Sequence, residues 1–305
     1  MRRPQLTAAA AALCALAAAG CGVGPGESAG EAELTVTRDY GAELMLRETV
    51  ELGESDTVLR VLDRSAEVET RFGGGFVQSI DGFAGQQSGG RRSDWFFYVN
   101  GVEASIGSAE YELADGDRVW WDHRDWSTAM RVPAVIGSWP QPFLGGHGGE
   151  HWSARVDCAG AEAACAEVDS RLAERGADTS AEGPEGADGE IRVLVGPWEA
   201  ISGDEAASLL AGGPQRSGVF ATFAGAEPSV GLTLLDQRGR VAETLGRAAG
   251  LIAALRPDQG PPTWVVTGTD PAGVAAAVEL FGEDLRDRYA VATVSDGPTF
   301  DVPVP

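Results

Sequence analysis

The sequence predicts an α+β chain in two parts: an N-terminal unit of hairpin, helix and aromatic strands, then a small α/β unit with a mixed or parallel sheet. Three observations predict it. The stretch Asp94 to Trp126 holds four of the eight tryptophans and two of the four tyrosines, in strand-forming runs punctuated by turn signals at Asn100-Gly101 and Asp115-Gly-Asp117. Between Ser127 and Trp152, Pro133, Pro140 and Pro142 precede the run Gly145-Gly-His-Gly-Gly149, which marks a boundary. Beyond it, strand-length apolar runs alternate with helical ones. At 305 residues the chain is long enough for two cores.

In order, Leu34 to Arg38 and Glu43 to Leu52 alternate apolar and polar about a Tyr40-Gly41 turn, the pattern of a half-buried hairpin. Gly53 to Thr57 offers capping side chains, and Val58, Leu59, Leu62 and Ala66 follow at helical spacing to about Glu67. Phe76 to Ile80 returns to strand character. Asp81 to Arg92 is a polar, glycine-rich loop with no packing signal. Asp94 to Asn100 and Val119 to His123 are the aromatic strands. Hairpin, helix, then strands is the order of a β-grasp fold, here over 33–126. Segment 127–152 is the Pro/Gly linker; its apolar part, Val132 to Phe143, should lie against the first unit, and the glycine run should hinge. In 153–305, strands are expected at Ala154 to Cys158, Ile191 to Val195, Gly218 to Phe223, Gly231 to Leu235, Trp264 to Thr267 and Tyr289 to Val294. Helices are expected at Ala161 to Arg175, Gly203 to Ala211, Val241 to Leu255 and Pro271 to Phe281, with an acidic loop from Asp178 to Gly189. Asp270 should cap the last helix and Pro271 open it.

The run WFFYVNGVEASIGSAEYELADGDRVWW resembles the transcobalamin-like C-terminal domain of bacterial surface proteins, in which a Trp-x-x-Tyr-Val-Asn-Gly strand and turn precede a Gly-Asp-x-Val-x-Trp strand. The resemblance covers about 33–126 and implies a β-grasp core related to soluble-ligand-binding modules. It also implies a ligand of corrinoid type, cobalamin or a relative, covered on one face by this domain. The helical barrel that covers the other face in transcobalamin has no counterpart in the alternating C-terminal half.

Arg2-Arg3, the apolar run Leu6 to Ala19 and Ala18-Ala-Gly-Cys21 have the layout of a lipoprotein signal, residues 1–20, ending at a lipidated Cys21 and a polar tether over 21–32. Such an anchor is stable because two or three acyl chains contribute about 0.8 kcal/mol per buried methylene. The formal charge of −23, with no lysine, argues against nucleic acid as a partner. With Cys14 in the signal and Cys21 acylated, Cys158 and Cys165 remain as an even pair in an oxidising compartment and are expected to form a disulfide.

No catalytic motif emerges. The α/β half has no Gly-x-Gly-x-x-Gly after a strand, no phosphate-loop lysine and no Gly-x-Ser-x-Gly elbow, so the chain is not expected to be an enzyme. His147 and His151, four apart beside Glu150, sit among glycines instead of on a helix, and no metal site is assigned to them. On the aromatic strands, Trp95, Phe97 and Val99 share one face, and Phe96, Tyr98 and Asn100 the other. One face fills the core. The other shows its rings to solvent, to the linker or to a ligand, which makes Tyr98, Asn100, Trp120, His123 and Trp126 the candidate ligand site. The expectation is a lipid-anchored extracytoplasmic protein whose first unit binds a small ligand or an envelope partner. The alternative is a structural envelope module with its aromatics buried.

Overall fold

The computed structural model describes residues 29–72, 75–88, 90–179, 189–225 and 230–305. The expected signal, Cys21 and most of the expected tether lie outside them, as does most of the Asp178 to Gly189 loop. Strands dominate, in mixed sheets.

In the first sheet, Gly30–Arg38 is an interior strand. It pairs antiparallel with Glu43–Leu52 and parallel with Arg118–Asp125, which in turn pairs antiparallel with Arg91–Val99. Leu34 and Val36 point to the helix Val58–Ser65, with Val58, Val61, Leu62, Trp95, Val99 and Trp121 around them. Thr57 caps that helix by accepting the Arg60 N–H at 3.3 Å. Asn100 and Gly101 both adopt positive φ, 54° and 79°, the turn that an Asn-Gly pair supplies without steric penalty. The loop expected to be unpacked, Asp81 to Arg92, contributes the short strands Phe83–Ala84 and Gln86–Ser88. It is drawn in because the Phe83 carbonyl accepts the Trp95 indole N–H at 2.7 Å.

The second large sheet runs Trp152–Cys158, Gly189–Pro197, Thr263–Gly268, Ala249–Leu255, Ala290–Val294, Thr299–Val302, parallel in its first three strands and antiparallel beyond. A three-stranded antiparallel sheet, Ala221–Ala224, Gly231–Leu235 and Val241–Leu245, stands beside it. The helix expected over Val241 to Leu255 is thus two strands in two sheets. All seven residues of Ala249–Leu255 are buried, and a continuous apolar run of that length reads equally as strand or helix. Gly250 answers to the helix Pro271–Glu279 packed on the strand: a Cβ there would lie 2.2 Å from the Gly273 carbonyl oxygen. Asp270 caps that helix, accepting the Gly273 N–H at 3.0 Å. The helix expected over Gly203 to Ala211 is a 3-10 turn, Ala207–Gly212, because Asp204 binds the Ala206 and Ala207 N–H groups at its start. Cys158 and Cys165 are joined by a disulfide, with Cα atoms 5.8 Å apart.

The segment between the halves is packed into both. Val135 N–H donates to the Gly101 carbonyl at 2.8 Å, Ile136 N–H to Tyr289 at 3.3 Å, and Asp287 N–H to Gly137 at 3.0 Å. Val132 and Val135 join one core, while Ile136, Trp139 and Phe143 join another beneath the second sheet, where Trp139 meets Phe281 at 4.9 Å and Phe143 meets Trp264 at 4.9 Å between ring centroids. The glycine run, expected to hinge, is tied to the first unit: the Gly146 carbonyl accepts from Asn100 Nδ2 at 2.9 Å, and the Gly148 N–H donates to the Tyr111 hydroxyl at 2.7 Å.

Candidate functional site

Alternation along the strands decides where each predicted site residue goes. Trp120 lies opposite Tyr98 and Asp122 opposite Phe96 across the antiparallel pair, so Trp120, Asp122 and Arg124 share the face of Phe96 and Tyr98. The C-terminal half covers this face. Tyr289 lies 5.2 Å from Trp120, 5.8 Å from Tyr98 and 5.0 Å from Tyr40 between ring centroids, and Phe220 lies 5.1 Å from Tyr40, all tilted or edge-on. Edge-on aromatic pairs add about 0.5–1.5 kcal/mol each beyond area burial. Tyr98 is 0% exposed and Trp120 3%. The expected aromatic shelf is therefore a contact between the halves, with no open face at these two residues. Asn100, also buried, is spent on the turn: its Nδ2 donates to Asp117 at 2.7 Å and its Oδ1 accepts the Arg118 N–H at 2.9 Å.

Two buried charges stabilise this joint. Asp122 accepts from Thr37 Oγ1 at 2.6 Å, Tyr289 Oη at 2.9 Å, Tyr40 N at 3.1 Å and Gly41 N at 3.2 Å. Burial pushes its carboxyl above the usual range, and the hydroxyl and amide donors pull it back. Burial likewise pushes the Tyr40 hydroxyl up to about 12. Arg124 stacks on Phe96 at 3.8 Å and donates to the carbonyls of Ala129 at 2.9 Å and Met130 at 3.2 Å, fixing the chain as it leaves the first unit. Sequence reasoning passed over Asp122, Arg124 and Tyr289. The signal for the first two was there: charges two and four residues beyond Trp120 share its face.

His123 lies on the opposite face of its strand, across from Trp95, and Trp126 just beyond the strand's end. Trp126 donates its indole N–H to Asp94 at 2.8 Å and has Arg92 over its ring at 5.2 Å. His123, half-buried beside Trp95, lines a cleft of about 350 Å³ at the seam, with Arg38, Phe83 and Asp125 from the first half and Gln237 and Arg238 from the second. Burial holds its imidazole below the usual range, and its Nε2 has no hydrogen-bond partner among the described residues. Arg38 stacks on Phe83 at 3.9 Å. Gln237 donates to the Asp39 carbonyl at 3.3 Å and closes the seam below. Two guanidiniums, an imidazole, an aromatic ring and the two carboxylates of Asp39 and Asp125 equip this cleft for recognising a small polar group. Among the described residues, no group of three or more His, Cys, Asp or Glu side chains is placed to hold a metal ion. No described helix is long and apolar enough to cross a membrane.

Residues 55–124, from the approach to the first helix to the strand that carries Trp120 and His123, match a family described as "Domain of unknown function (DUF4430)". A solved structure described as that of "a putative metal binding protein" from Ruminococcus gnavus is similar to 32% of this chain and 97% of its own, at 17% sequence identity and a TM-score of 0.25. No curated protein matches the chain.

Proposed function

We propose that the chain is an exported, lipid-anchored, non-enzymatic protein of the cell surface whose N-terminal β-grasp unit recognises a small ligand or a surface partner at the seam cleft beside His123. The observation that carries this reading is the cleft itself. It is open and polar, both halves line it, and it holds His123, a predicted site residue, next to a stacked Arg38 and Phe83. The β-grasp assignment is supported by the helix packed on one face of the first sheet, by the parallel pairing of its first and last long strands, and by the match over 55–124. The corrinoid reading rests on the resemblance alone; the burial of Tyr98 and Trp120 leaves no open aromatic shelf at these two residues to support it. The same burial favours a second reading, a structural envelope module without a small-molecule ligand.

Cell fractionation tests the anchor. The wild-type chain should sediment with membranes and Cys21→Ser should be released into the medium; membrane retention of the variant overturns the lipid anchor. For the ligand, the soluble chain is incubated with cobalamin, desalted and scanned for absorbance. Retained absorbance that His123→Ala abolishes supports the small-ligand reading at this cleft. Retention unaffected by His123→Ala removes the cleft from it, and absence of retention withdraws the corrinoid as the ligand.

A further inference from the structure

The chain has 46 acidic residues against 23 basic ones, all of them arginine. A second cleft, of about 280 Å³, between the linking segment and the C-terminal half, reverses that balance: Arg131, Arg216 and Arg256 line it, with Asp258 as its one carboxylate. Asp258 is already engaged, its Oδ1 accepting the Gly260 N–H at 2.7 Å to close the turn. The guanidiniums are under-used. Arg256, 8% exposed, donates through Nε and Nη2 to the Gly260 and Gln259 carbonyls, which are uncharged. Arg131 gives only its Nε to Glu103, at 3.0 Å, so its two terminal nitrogens have no partner among the described residues. The Arg216 side chain makes no ion pair or hydrogen bond among them. Glu150, a further carboxylate that acts on Arg256, accepts the Trp152 indole N–H at 3.1 Å. Burial, and then the nearby charge of Arg131, lower the Arg256 guanidinium below its usual range, against the opposing charges of Asp258, Glu103 and Glu150.

The walls are held in place from several sides. Arg124 grips the Ala129 and Met130 carbonyls just before Arg131. Gly218, at φ +76°, brings the segment carrying Arg216 so close that a Cβ there would lie 2.9 Å from the Val132 Cα. Three guanidiniums lining one small cavity match the planar or tetrahedral oxygen set of a carboxylate or phosphate, which guanidinium groups bind in charge-assisted, often bidentate pairs.

We propose that this cleft binds a small oxyanion, a carboxylate or phosphate group, through Arg131, Arg216 and Arg256. The proposal is independent of the His123 cleft, which other residues line. The test is calorimetric titration of the full soluble Cys21→Ser chain with inorganic phosphate and, separately, with succinate, against sodium chloride at matched ionic strength. One of the two should saturate a single site that chloride does not. Arg216→Ala, which removes no hydrogen bond or ion pair among the described residues, should weaken that binding about tenfold or more, as loss of a charge-assisted pair does, while leaving the melting temperature of the unliganded chain unchanged. Arg216→Lys should recover part of it. Saturation by phosphate alone assigns a phosphate site, and by succinate alone a carboxylate site. Failure of both to saturate, or saturation that Arg216→Ala and Arg131→Ala leave intact, overturns the proposal.

Discussion

His147 shows how much a single side chain can differ from its sequence context. The glycines around it read as exposed linker, yet its ring turns inward, with Nδ1 3.0 Å from the Val99 carbonyl and 3.2 Å from the Tyr111 hydroxyl. Since a carbonyl only accepts, Nδ1 carries the proton. Burial, joined by the charge of Arg256, lowers its pKa from 6.5 to about 4, against the opposing pull of the Val99 carbonyl and Glu150. The sign follows from linkage. The folded chain holds His147 neutral while the unfolded chain protonates it near 6.5, so its contribution is complete above that pH and lost as pH falls through the folded value of about 4. The loss should total about 3 kcal/mol across that window. Urea midpoints of wild type and His147→Gln, compared from pH 7.5 down to pH 4, check this: the wild type should lose the extra stability and the variant should not. Parallel pH profiles would contradict it. At this scale the sequence was most legible where chemistry is local. The Asn100-Gly101 turn, the Asp270 cap and the Cys158–Cys165 bridge each depend on neighbours in the chain. The partners of Tyr98 and Trp120 could not be read, because Tyr289 lies about 170–190 residues away and nothing local announces it.

Among elements, the central piece is the segment from Ala129 to Phe143. Its apolar content signalled packing, but only the fold shows that it packs on both halves. Gly137 sits at the tightest point: a Cβ there would lie 2.6 Å from Trp120 Cζ3 and 2.7 Å from the Arg288 backbone nitrogen. Gly137→Ala should therefore cost about 1–3 kcal/mol, the usual range for overpacking. Gly203→Ala, with no atom within 4 Å of the new methyl, should be near neutral. Thermal unfolding of the two variants beside the wild type measures the difference; equal melting temperatures would refute the close packing. The strand Ala249–Leu255 illustrates why element type was harder to read than element position. A seven-residue run buried on both faces has no alternation to distinguish it from a helix. Its partners, Thr263–Gly268 and Ala290–Val294, decide the matter from a distance in sequence.

Across the whole molecule, the halves are joined by covered aromatics, by ion pairs such as Arg286 with Glu33 and Arg47 with Asp287, and by the buried Asp122 network. A sheet with aromatics on both faces needs two covers. The helix Val58–Ser65 supplies one and the C-terminal half the other. If the aromatic face is this joint, the halves unfold together, because exposing Trp120 and Tyr98 would carry the cost of opening a core. The direct measurement is urea unfolding of the soluble chain, followed by both tryptophan fluorescence and far-UV circular dichroism, for wild type and Tyr289→Ala. The account predicts one coincident transition in the wild type and a loss of about 3–5 kcal/mol in the variant, as for a large aromatic removed from a core. Two separated wild-type transitions, with Tyr289→Ala leaving the N-terminal one in place, would contradict it.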